Sequence, residues 1–136
     1  MNTVKNQTMT IADIRKEQES RLSNLFKTLG IFFAFSTEQF NSQKKEGVTY
    51  VSAGSGMIIP KDKVEDFKKG FSLMNKEINQ LYEKFIPMDD YILCELYNHE
   101  AFYTGDLEDS FEAIILHYPD CTMEDVERVF YKKRKG

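Results

Sequence analysis

From Ile86 to Glu127 the chain carries no lysine and no arginine, although eighteen occur elsewhere. The same 42 residues hold twelve of its 22 aspartates and glutamates, a local charge of −12. Residues 1–85 sum to +3 and residues 128–136 to +5, so a net charge of −4 conceals a polarised chain. Such a field favours cationic partners or divalent ions and repels nucleic acid. Tryptophan is absent, and the only two cysteines, Cys94 and Cys121, are not spaced as a metal pair. That usage fits a reducing compartment better than a disulfide scaffold. The longest apolar run, "IFFAF", has five residues, against the roughly 20 that a bilayer span needs. The opening "MNTVKNQTMT" has no apolar stretch of the secretory kind. A cytoplasmic protein without membrane association is expected.

Catalytic signatures are missing as well. There is no G-x-S-x-G, no phosphate-cradling Walker loop, no H-E-x-x-H and no C-x-x-C. "AGSGMIIP" contains a G-x-G, but the third glycine of a dinucleotide fingerprint is absent and Met-Ile-Ile-Pro cannot open a helix. It reads as a tight turn that needs positive φ. An enzyme is therefore disfavoured.

What the chain does have is a core. Hydrophobic residues make up 41% and aromatics 13%, with eleven Phe and seven Tyr, enough for one domain over residues 10–136 after a frayed or disordered stretch at 1–9. Thr10 is placed to cap a helix over 11–29 that Gly30 ends. "IFFAFS" reads as a strand at 31–35, and Ser36 with Gln39 resembles a capping box for a short helix. "VTYVS" at 48–52 and "MIIP" at 57–60 read as two more strands, giving an antiparallel meander. Val64, Phe67, Phe71, Met74, Ile78, Leu81, Tyr82 and Phe85 step at helical spacing, which predicts a long amphipathic helix over 61–85. It should bury Phe67, Phe71, Met74, Ile78 and Phe85 against residues 31–35. Further helices are expected over 87–104, from Asp106 to Tyr118, and after Thr122, which pairs with Asp125 as a cap. The fold class is α+β, with about five helices packed on a short three-stranded antiparallel sheet.

The stretch "ELYNHEAFYTGDLEDSFE" is the best candidate for chemistry. Glu95 and His99 stand four residues apart on one helix face, and Asp106 or Asp109 could add carboxylates across the turn. A divalent metal at Glu95, His99, Asp106 and Asp109 is one expectation, and no other cofactor is expected. The competing reading is a Glu–His hydrogen bond on a helix surface or a partly buried polar pair, with His99 at the edge of the core on the row Ile92, Leu96, His99 and Tyr103. His117, beside Tyr118 and Pro119, reads as a partner for a helix C-terminus. The tail "YKKRKG" reads as a solvated helix end, the one place where nucleic acid could touch.

The segments "IFFAFSTEQF", "GSGMIIPKDKVEDF" and "ELYNHEAFYTGD" resemble a family of small uncharacterised proteins encoded by bacteriophages and prophages. The likeness spans most of residues 25–130. It implies a bacterial host cytoplasm as the setting and carries no mechanism. With the charge pattern, it leads to the expectation of a non-enzymatic phage or mobile-element protein that binds and modulates a host protein with a basic surface. The contact would run through Asp89, Asp90, Glu100, Glu108, Asp109, Glu112, Glu124 and Glu127. The alternatives are a divalent-metal-dependent enzyme or sensor at Glu95 and His99, and a phage structural or accessory protein.

Overall fold

Thr10 and Asp13 start the first helix with a reciprocal cap: the Asp13 N–H donates to Thr10 Oγ1 at 3.1 Å, and the Thr10 N–H to Asp13 Oδ2 at 3.0 Å. The computed structural model describes residues 8–135, so most of the stretch expected to fray, residues 1–7, lies outside the described residues. Helix α1 spans Ile11–Leu29, and strand β1 is only Phe32–Phe33. Helix α2, Thr37–Gln43, begins at Ser36, whose Oγ accepts the Gln39 N–H. The return half of that capping box is displaced by one residue, because Gln39 Oε1 accepts from the Phe35 N–H. Strands β2, Tyr50–Ser52, and β3, Met57–Pro60, follow. After a single 3-10 turn comes α3, Val64–Phe85, and then α4, Met88–Asn98, α5, Ala101–Thr104, α6, Glu108–Ile114, and α7, Met123–Lys135.

The protein is α+β, and its one sheet among the described residues is three-stranded and antiparallel. Two expectations need correction. The strand order is β1-β3-β2, so the sheet is not a meander. Helix α2 separates β1 from β2, while the turn at 53–56 pairs β2 with β3 and leaves the other edge of β3 to β1. Gly54, Ser55 and Gly56 all have positive φ, as a turn this tight demands. The helices number seven among the described residues, not about five. The helix expected over 87–104 breaks at Glu100, which adopts φ 55 and ψ 33. Breaking there lets Ala101 become fully buried and stacks Phe102 on Phe130 at 5.0 Å.

Chain contacts divide into two compact units, residues 16–77 and the remainder. The second unit holds most of the fully buried side chains, including Ile14, Ile78, Ile92, Leu96, Ile114 and Val126. In it, α4 packs against α5, α6 and α7. The first unit buries Ile31, Ile59 and Met74 and stacks Phe26, Phe67 and Phe71 in a row. Phe71 was expected in the core but ends that row at 38% exposure. Its neighbour Gly70 faces α1 so closely that an added Cβ would stand 2.7 Å from Leu25 Cδ1. No helix among the described residues is long and apolar enough to cross a membrane.

Candidate functional site

Glu95 is one of two polar residues buried among the described residues, at 6% exposure. It occupies the inward face of α4 with Tyr91, Ile92 and Leu96. A carboxylate taken from water must be compensated by donors and countercharge, and four side chains stand around it. Tyr91 Oη donates to Oε2 at 2.7 Å, and Asn98 Nδ2 to Oε1 at 3.1 Å. Arg15 Nη2 stands 3.8 Å from Oε2, and His99 Nε2 3.7 Å from Oε1. The last two distances are too long for hydrogen bonds, and of the two Arg15 supplies the countercharge. Ser110, fully buried on α6, donates from Oγ to the Glu95 carbonyl at 3.2 Å. Burial, and after it the bond to Glu95, pushes the Tyr91 phenol far above its usual range, so it remains a donor at physiological pH.

Beside this cluster lies a second one. His117 packs its ring on Tyr82 at 4.3 Å and against Tyr91 at 5.6 Å. Its Nδ1 is 2.6 Å from Asn79 Oδ1, which fixes the proton on Nδ1 if the amide oxygen accepts. Burial holds the imidazole below its ordinary value. The histidine read as a helix-end partner is thus a packing residue, and α6 stops at Ile114, ahead of it. Tyr118 Oη bonds the carbonyls of Tyr82 and Ile86, and burial pushes its phenol up to about 12.

The expected metal ligands are not assembled. Asp106 Oδ1 accepts the Glu108 N–H at 3.0 Å, as a turn residue opening α6. No group of three or more His, Cys, Asp or Glu is placed to hold a metal among the described residues. Both oxygens of Glu95 already accept from Tyr91 and Asn98. No buried side-chain nitrogen or oxygen lacks a partner among the described residues, so this cluster is closed and not poised for an incoming group.

The acidic residues divide into two sets. Asp89 is engaged within the chain, since Arg128 grips both its oxygens at 2.8 Å and also lies 3.6 Å from Asp125. That bidentate bond holds the Asp89 carboxyl below the usual carboxylate range and raises the guanidinium of Arg128 further. Asp90 lines a cavity of about 350 Å3 with Asp89, Lys132 and Lys133. The basic tail therefore offsets the N-terminal end of the acidic window. Glu100, Glu108, Asp109, Glu112, Glu124 and Glu127 are exposed and enter no salt bridge among the described residues. They come from the α4–α5 junction, α6 and the first half of α7.

Sequence reading found Glu95, His99 and the acidic window but missed Arg15, Ser110 and Arg128. Each acts on a residue 15 to 80 positions away, beyond the reach of helical spacing. Tyr91 and Asn98, at i−4 and i+3 from Glu95, were within that reach.

Fold and site together define a mainly helical α+β protein with a closed polar cluster around Glu95. A family of unknown function, DUF7659, matches residues 14–134, and the chain belongs to that family. No curated protein and no solved structure matches it.

Proposed function

We propose that this is a non-enzymatic protein that docks on a basic surface of a partner protein through the carboxylates of α6 and the first half of α7. The observation that carries the reading is the set Glu100, Glu108, Asp109, Glu112, Glu124 and Glu127, all exposed and none in a salt bridge with the chain's own cations among the described residues. Asp89 and Asp90 belong to this surface in a lesser role, because Arg128, Lys132 and Lys133 already answer them. Carboxylates left unanswered raise the encounter rate with a basic partner and deter nucleic acid. The closed Glu95 network supports a binding role over a catalytic one, since its acceptor oxygens are committed to Tyr91 and Asn98. The resemblance to phage-encoded proteins supports a partner in a bacterial host cytoplasm, whose activity the docking would modulate.

Reversal of Glu108, Asp109 and Glu112 to lysine tests the reading. A host protein that co-purifies with the wild type should be lost with the triple variant while the fold is retained. Retention of the same protein by the triple variant, at low salt, would overturn it.

A further inference from the structure

The unit of residues 16–77 carries two cavities that share a wall. One, of about 320 Å3, lies between the end of α1, β1, the end of α2 and the residues after β3. The other, of about 580 Å3, is bounded by residues 47–49 and 61–62. Val48 and Asp62 line both. Each volume falls within the roughly 300–1,000 Å3 of small-molecule sites.

Four lysines line this double cavity. Lys27, Lys45 and Lys63 line the smaller part and Lys61 the larger, against the single carboxylate of Asp62. None of the four lysines enters a salt bridge among the described residues. An excess of cations around one concavity concentrates anions there. The smaller cavity has an aromatic wall: Phe32 and Tyr50 line it and meet edge to face at 5.3 Å, backed by Phe40. The frame is held by hydrogen bonds. Tyr50 Oη accepts the Lys45 N–H at 3.0 Å, and the Lys61 N–H donates to the Thr49 carbonyl at 2.8 Å. The backbone that carries two of the lysines is thereby set before any ligand arrives, which lowers the entropic cost of binding.

We propose that this cavity binds a small phosphorylated molecule with a flat ring, of the nucleotide class. The ring would lie against Phe32 and Tyr50, and the phosphates would be received by Lys27, Lys45, Lys61 and Lys63. A carboxylate, with one charge, would leave most of these ammonium groups unanswered. A di- or polyphosphate matches their number. This site belongs to a different unit from the acidic docking surface and stands or falls independently of it.

Titration of the full chain with adenosine diphosphate, pyrophosphate and adenosine, each alone, separates the two halves of the recognition. The diphosphate should bind about tenfold or more tightly than either fragment, with amide shifts centred on Phe32, Val48, Tyr50 and Asp62. Lys45→Ala/Lys63→Ala should weaken it by about tenfold. Lys69→Ala/Lys76→Ala, which removes two cations of the same unit outside the cavity, should leave it unchanged. These surface substitutions leave the core intact. No binding of adenosine diphosphate at millimolar concentration, or equal loss in both lysine pairs, would overturn the proposal. So would binding of an acidic peptide at these lysines with no response to the nucleotide.

Discussion

Tyr91 is the side chain on which the burial of Glu95 most depends. It supplies the shortest bond to the carboxylate, 2.7 Å, from within the same helix. Removing the hydroxyl alone leaves a buried, charged acceptor without its donor, which costs about 1–3 kcal/mol. Tyr91→Phe should lower stability by that amount in urea unfolding, with an unchanged denaturant slope. Tyr91→Phe/Glu95→Leu should recover part of the loss, because both partners are then apolar and Arg15, half exposed, returns to water. His117 gives the pH dependence at this scale. Burial lowers its folded value, opposed by Glu95 and aided by Arg15, so the unfolded chain binds the proton more readily. Stability is therefore full above the ordinary imidazole value of 6.5 and is lost as pH falls below it toward the folded value. The melting temperature should drop more between about pH 7.5 and about pH 5.5 in the wild type than in His117→Gln. An equal drop in both would place the pH sensitivity elsewhere.

At the scale of elements, what could be read in advance were the local signals. Thr10, Ser36 and Thr122 cap the helices they were expected to cap, and α3 follows its stripe from Val64 to Phe85. These succeed because cap and periodicity act over three or four residues. The order of the strands was not legible, since it depends on which edge of β3 is free after the β2–β3 turn forms. The break at Glu100 was hidden too: neither glycine nor proline marks it, and glutamate is a poor residue for left-handed backbone. That conformation costs a side-chain-bearing residue roughly 1 kcal/mol. It persists because Ala101 and Phe102 reach the core only beyond the break. Glu100→Gly should therefore raise stability by up to about 1 kcal/mol by thermal unfolding. A clear loss of stability would mean that the Glu100 side chain contributes a contact of its own.

For the whole molecule, the polarised charge was plain from the sequence, but its division was not. The window of residues 86–127 reads as one acidic block, yet Arg128, 39 positions from Asp89, removes that end of it from free display. The same long-range blindness hid Arg15 from Glu95 and Asn79 from His117. What stays outside any salt bridge among the described residues is the carboxylate set of the α4–α5 junction, α6 and the first half of α7, and the central claim is that this set does the docking. An electrostatic contact of this kind weakens with salt, because the Debye length shrinks from about 10 Å at 0.1 M to about 3 Å at 1 M. The most direct measurement is the association rate with the captured partner across that salt range, for the wild type and for Glu108→Lys/Asp109→Lys/Glu112→Lys. The account predicts a wild-type rate that falls steeply with salt and a variant rate about tenfold or more lower at low salt. Equal rates at low salt, with both proteins folded, would contradict it.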